Sequence, residues 1–338
     1  MFALIGRSQT WASFPSLLFL TSGSEAGMVL EELQVRLNDR GYTNWLKAGR
    51  CLIILRDFLL PFTDEHMRSF HRDLLNRKSL LRMSCNSNCR PRGNKLLSPC
   101  RVCSEWQKEI IAHHRQPEST INWDNCSPPH WRTHYWELAK AYMPRGQAKT
   151  KDGGQCDASA LLNLINHCTR FSTVDPKLVR EVIRMRNELM HSCDFRVEDE
   201  WMGQYYFVLK HFMQQFSRGP QIASVKEQIE EMLTVDLSIY VSGADRMDSA
   251  DLVNELQSDS DNQRPKPEIC ADLVSRWESE LLQEMLQEIL QVAAEDGDTM
   301  TQDTRQLKSL SGFLQANQDL SERFSEELQA IDSLQARQ

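Results

Sequence analysis

Four thiols crowd into the segment "SCNSNCRPRGNKLLSPCRVCSEW", at Cys85, Cys89, Cys100 and Cys103. Two close pairs separated by a polar loop are the spacing of a tetrahedral zinc site, because each pair chelates from one turn and four thiolates complete the shell. The first pair encloses three residues rather than two, and His113, His114, Cys126, His130 or His134 could stand in for one thiol. Four protein ligands leave no position for water. The zinc expected here is therefore structural, stapling the loop to the helix that follows. The alternative is four unconnected free cysteines on a surface loop.

A second constellation lies in "RNELMH", Arg186 to His191. At about 100° of turn per residue, Val179, Val182, Ile183, Leu189 and Met190 all fall within about 60° of Arg186, so a permanent cation sits at the centre of an apolar stripe. A buried guanidinium must find a carboxylate, backbone carbonyls or a phosphate. Beside this stripe run Arg180, Arg184, Asn187 and His191, at spacings of four, three and four, which share one polar face. Two readings stay open. In one, Asn187 and His191 point into the same space, Arg180 and Arg184 extend the face toward the N-terminus, and together they contact an RNA backbone. Or the face is an ordinary wet helix surface and Arg186 is locked into a buried pair. The wheel puts Arg186 and His191 about 140° apart, so a shared site needs a distorted last turn, a reaching arginine or a seam between helices.

The elements that must position these residues read as helices. Glycine is scarce in the chain, and Leu, Glu, Gln, Met and Arg dominate its periodic stretches, so the fold expected is all-α. Residues 1–27 read as a disordered or targeting-like extension. Residues 28–150 form a helical region carrying the cysteine-rich loop, with a central helix that Pro61 is expected to stop. Residues 151–240 form a helical bundle. There Asp157 is the expected cap of "ASALLNLINH", and Asp175 with Pro176 opens the helix that carries Arg186. Residues 241–268 turn acidic and rich in serine, an expected linker. Residues 269–338 carry an apolar stripe from Val274 through Leu281, Met285, Ile289 and Val292 to Leu307, Leu314, Phe324 and Leu334. That stripe predicts a helical hairpin or short coiled coil, paired within the chain or docked on a protein partner.

Composition narrows the function. The net charge of −8 argues against a surface basic all over, although basic residues cluster from Arg82 to Lys95 and from Lys140 to Lys151, in loops that either are solvated or contact phosphate. Ten cysteines, unevenly spread, point to a reducing compartment, cytoplasmic or nuclear, rather than to a secreted disulfide scaffold. The run "CLIILRDFLLPF" is broken by Arg56 and Asp57, so no membrane span is expected. Phosphate-loop, zincin, serine-hydrolase and dinucleotide signatures are missing. Trp123, Trp131 and Trp136 could stack unpaired bases, but their proline and cysteine neighbours favour packing beside the cysteine loop.

Arg186, Asn187 and His191 resemble the Arg-polar-spacer-His pattern of the HEPN superfamily (higher eukaryotes and prokaryotes nucleotide-binding), all-α domains that include metal-independent endoribonucleases. From position 28 onward the chain is also similar to a vertebrate family of X-chromosome open-reading-frame proteins. That likeness rests on "NWLKAG", "SFHRDLL", "CRVCSEWQKEI", "WDNC", "AKAYMPRG", "ALLNLINHC", "EVIRMRNELMHS" and "FLQANQDL". Parts of the pattern resemble the HEPN region of a DAZ-interacting ubiquitin ligase. The superfamily resemblance implies a HEPN-like bundle for 151–240, a homodimer meeting across the motif helix, and RNA as substrate or partner. In it His191 would be general base or acid toward a ribose 2′-hydroxyl, and Arg186 would stabilise the phosphorane-like charge. The alternative function is a non-catalytic protein-interaction scaffold.

Overall fold

The computed structural model describes residues 31–116, 121–216, 220–237, 271–295 and 302–335. The expected extension and acidic linker lie outside the described residues, as do the side chains of Val292 and Leu334. A first helix, α1, covers 31–37. The axis of the molecule is α2, Arg40–Arg77, whose N-cap Asp39 accepts from the Tyr42 amide. At 38 residues it runs roughly 57 Å. Pro61 does not stop it, which corrects the sequence expectation. Pro61 and Asp57, the residue four earlier whose carbonyl loses its amide partner, are both exposed, so the lost bond falls on the wet side of the helix, where solvent can replace it. Meanwhile Leu59, Thr63, Met67, Phe70 and Leu74 are buried on the inner face and carry the helix past the proline.

Around this axis pack α4 (Tyr135–Ala139), α5 (Ala158–His167), α6 (Pro176–Met190), α7 (Asp199–Gln214), α8 (Pro220–Thr234) and α9 (Ala271–Glu295), while α3 (Arg101–Ala112) follows the cysteine loop. The chain closes with α10 (Gln302–Ala316), α11 (Gln318–Arg323) and α12 (Ser325–Gln335). Among the described residues all regular elements are helical, and the expected all-α class holds. The cap expectations hold too: Asp157 accepts from the Ala160 amide, and Asp175 accepts from Lys177 with Pro176 in the first turn of α6. Trp123, Trp131 and Trp136 are buried and belong to the core, so they offer no stacking surface.

The C-terminal stripe finds its partner within the chain. Val274, Leu281, Met285, Ile289, Leu307, Leu310, Leu314 and Phe324 are buried in the same continuous core as Trp45, Leu162 and Val182. One position shows how close the approach is: a Cβ on Gly49 of α2 would lie 2.1 Å from Cδ2 of the buried Leu281 on α9. Phe195, in the turn after α6 with φ of 52°, stacks on Phe313 of α10 at 4.3 Å and meets Trp45 edge-on at 5.5 Å. A non-glycine residue held left-handed costs about 1 kcal/mol, which these aromatic contacts offset.

Candidate functional site

The four cysteines come together as their spacing suggests. A short 3-10 turn, Ser79–Arg82, leads from α2 into the loop, and Cys103 in the first turn of α3 is fully buried. The loop turns on Asn88, Gly93 and Ser98, all left-handed with φ between 44° and 47°. The Ser87 and Cys89 amides donate to the Cys85 sulfur, and the Cys100 amide donates to the Cys89 sulfur at 3.2 Å. The four Sγ atoms lie within 4.8 Å of one another, and Cys85 and Cys100 approach to 3.8 Å. A tetrahedron with metal–sulfur bonds of about 2.3 Å has edges of about 3.8 Å, so the quartet fits a metal ion. Burial opposes ionisation of Cys85, yet the amide donors of Cys89 and Ser87 bring its thiol down to about 7. Burial raises Cys103 far above a free thiol and also raises Cys89, and a bound cation would reverse both. The histidines that could have substituted do not join: His113 meets Thr169, His130 meets Ser127 and His134 meets Thr133.

Arg186 sits where the wheel puts it, 3% exposed on the inner face of α6. Its guanidinium forks onto Glu288 of α9, with both nitrogen–oxygen distances 2.7 Å, and its second nitrogen also meets the Asp157 carboxylate at 3.0 Å. Asp157 thus caps α5 with one oxygen and binds Arg186 with the other. Burial alone would weaken the guanidinium's hold on its proton. The Glu288 carboxylate more than offsets that, and the group is held above its ordinary value. The neighbours point elsewhere. Arg180, Arg184, Asn187 and His191 are exposed, and Arg184 already pairs with Glu188 at 2.6 Å. Asn187 accepts weakly from Arg186 at 3.4 Å. At the end of α6, the His191 Nδ1 donates to the Gln306 amide oxygen of α10 at 2.8 Å, while the Gln306 nitrogen donates to the Met190 carbonyl. That arrangement fixes the imidazole proton on Nδ1. Arg186 is therefore held by α5 and α9, and His191 by α10.

A second buried cation escaped the sequence reading. Arg36 of α1 is 7% exposed and forks onto both Glu278 of α9 and Asp319 of α11, and Tyr42 donates to the same Glu278 at 2.6 Å. The signal was present: Glu278 lies four residues from both Val274 and Leu282, inside the apolar stripe, as Arg186 lies inside its own. Lys140 is also buried rather than solvated, with its ammonium on Glu137 and on the Ala148 and Thr150 carbonyls.

Between the two clamps lies Glu284 of α9. Burial pushes its carboxyl up to about 7, the Asp157 charge adds to this, and Arg56 at 3.0 Å and Arg186 pull the other way. A carboxyl raised in the fold contributes stability below its unfolded value and loses it as pH rises through about 7. The buried His71 and His114 and the half-buried His66, His113 and His167, lowered by desolvation, work in the opposite sense below their unfolded value. The comparison that isolates Glu284 is with Glu284→Gln. Wild type is expected to gain about 2 kcal/mol relative to the variant between pH 8 and pH 5.5, read as urea midpoints by tryptophan fluorescence. Parallel pH profiles would show that Glu284 is not the titrating group.

Helices and thiols together define the class: an all-α protein with a four-cysteine cluster able to hold a metal ion. The chain belongs to the family described as "Domain of unknown function (DUF4559)", whose profile matches residues 36–337. It is 39% identical over 311 residues to the mouse (Mus musculus) "Uncharacterized protein CXorf38 homolog", covering 91% of this chain and 93% of that protein. This is the X-chromosome open-reading-frame family to which the sequence landmarks point. No solved structure matches the chain. Among the described residues no helix is long and apolar enough to cross a membrane.

Proposed function

We propose that this protein is a non-catalytic helical scaffold, a zinc-stapled bundle closed by its own C-terminal helices. The observation that supports it is the filled fork of Arg186. A HEPN-type ribonuclease needs that guanidinium free to meet the ribose phosphate. Here a phosphate would first have to displace a bidentate carboxylate at 2.7 Å from a group 3% exposed. The His191 that such chemistry requires is held by a different helix. The metal assigned to Cys85, Cys89, Cys100 and Cys103 is zinc, because four thiolates at tetrahedral spacing suit that ion, and a closed shell gives it a stapling task alone.

The test uses labelled single-stranded RNA, wild type and His191→Ala, in buffer without added divalent cations. Equal amounts of intact RNA are expected after prolonged incubation. RNA loss in wild type that disappears in the variant would overturn the scaffold reading and restore the ribonuclease.

A further inference from the structure

The charge of this chain is strongly polarised. From Leu74 to Ser104 the sequence holds seven arginines and lysines and no carboxylate, within a protein whose net charge is −8. Arg82, Arg90, Arg92, Lys95 and Arg101 are all exposed. Among the described residues no carboxylate pairs with Arg90, Arg92, Lys95 or Arg101. Exposed arginines elsewhere are divided: Arg40 pairs with Asp199, Arg68 with Asp64 and Arg196 with Asp39, whereas Arg132, Arg180 and Arg305 meet no carboxylate among the described residues, so what sets Arg90, Arg92, Lys95 and Arg101 apart is that they gather in one segment without a carboxylate. These unpaired cations do not dangle from a loose loop, since the four thiols gather its ends, the Arg92 amide donates to the Lys95 carbonyl at 2.9 Å, and Leu96 is buried beneath it. A bound zinc with four thiolates carries a formal charge of −2, which leaves the pole positive.

Beside the loop opens a cleft of about 350 Å³ between Asn88–Pro91 and Asp124–His130. Its size suits one nucleotide. Arg90 lines it and supplies a forked phosphate donor, Asn88, Ser127 and His130 supply donors and acceptors for a base, and Asp124 is the one carboxylate in its lining. A larger cleft of about 1300 Å³ lies where the N-terminal end of α2 meets α7 and α8, but Glu227, Glu230 and Glu231 line it and repel a polyanion. The exposed large apolar side chains near the loop are Met83 and Leu97, which fall short of the buried apolar core that a protein interface needs.

We propose that the pole around the four-cysteine loop binds the phosphodiester chain of a nucleic acid strand through Arg90, Arg92, Lys95 and Arg101, seating one nucleotide in the adjoining cleft. This goes beyond the scaffold reading, which stands whether or not a strand binds.

The test is fluorescence anisotropy on the full chain with labelled 20-nucleotide oligouridine RNA and oligothymidine DNA, the two arms separating the sources of the backbone. Four phosphate contacts predict an affinity that falls roughly 50-fold between 50 and 200 mM salt. The triple variant Arg90→Glu, Arg92→Glu and Lys95→Glu should bind at least about tenfold more weakly at 50 mM and lose most of the salt dependence. Zinc content and thermal midpoint of the variant, matched to wild type, show that it is folded. The pair Arg180→Glu and Arg184→Glu on α6 should bind as wild type does. Three results overturn the proposal: the triple variant binding like wild type, the α6 pair alone abolishing binding, or polyglutamate or anionic vesicles binding when neither oligonucleotide does.

Discussion

Replacing Arg186 by methionine is expected to destabilise the protein by about 3 kcal/mol and to loosen the C-terminal helices first. The guanidinium joins three helices: α6 that carries it, α5 through Asp157 and α9 through Glu288. Methionine keeps the apolar stem but leaves two carboxylates facing the raised carboxyl of Glu284 with one cation fewer. Removing one member of a buried pair costs about 3 to 5 kcal/mol, and the partial exposure of both carboxylates, 31% for Asp157 and 28% for Glu288, places this case at the lower end. Lysine should recover only part of the loss, because a point charge cannot grip both oxygens of Glu288 at once. The double variant Arg186→Met, Glu288→Leu should be more stable than Arg186→Met alone, since it removes the stranded charge. Urea midpoints decide the matter, with limited proteolysis showing whether α9 to α12 release before the bundle. A single variant within about 0.5 kcal/mol of wild type would show that Arg186 is not a clamp.

What was legible in the sequence followed from local rules. The thiol spacing located a cluster that the backbone then assembled, and Asp157 and Asp175 announced their helices because a cap depends on residues a few positions away. The wheel placed Arg186 inside and His191 outside for the same reason. The partner of Arg186 was hidden: Glu288 is 102 residues distant, on a helix whose register against α6 depends on long-range packing. Glu278 was overlooked because the apolar stripe around it was read as continuous, although a charge among aliphatic neighbours is the same signal that drew notice at Arg186. Pro61 misled through a rule that holds for inner faces. On the wet side of α2 the proline leaves only a carbonyl that water can reach.

With zinc held by Cys85, Cys89, Cys100 and Cys103 as proposed, its removal is expected to produce the largest effect of all. Between Met83 and Pro99 the buried side chains are Cys89 and Leu96. Burying a leucine contributes about 2 kcal/mol, whereas holding each residue of the loop in one backbone conformation costs about 1 to 2 kcal/mol. Apolar burial therefore cannot order this loop, and cross-linking its ends through four metal–thiolate bonds can. Protein purified without chelator should carry about one equivalent of zinc, and Cys100→Ser should carry close to none. Amides from 84 to 100 should exchange freely in the variant while those of α5 and α6 stay protected, because Cys103 and Trp106 anchor α3 to the core independently of the loop. The same loss should weaken oligonucleotide binding, though by less than reversing the charges does, since Arg90, Arg92 and Lys95 would keep their charge but no longer be held in one arrangement. A wild type without zinc whose loop is nonetheless protected from exchange would return Cys85, Cys89, Cys100 and Cys103 to four free thiols. The loop's order would then have to come from the hydrogen bonds alone, from the Arg92–Lys95 turn and the amide–sulfur contacts, at about 1 kcal/mol each. That sum falls short of the entropy it must offset, which is why the metal is the stronger expectation.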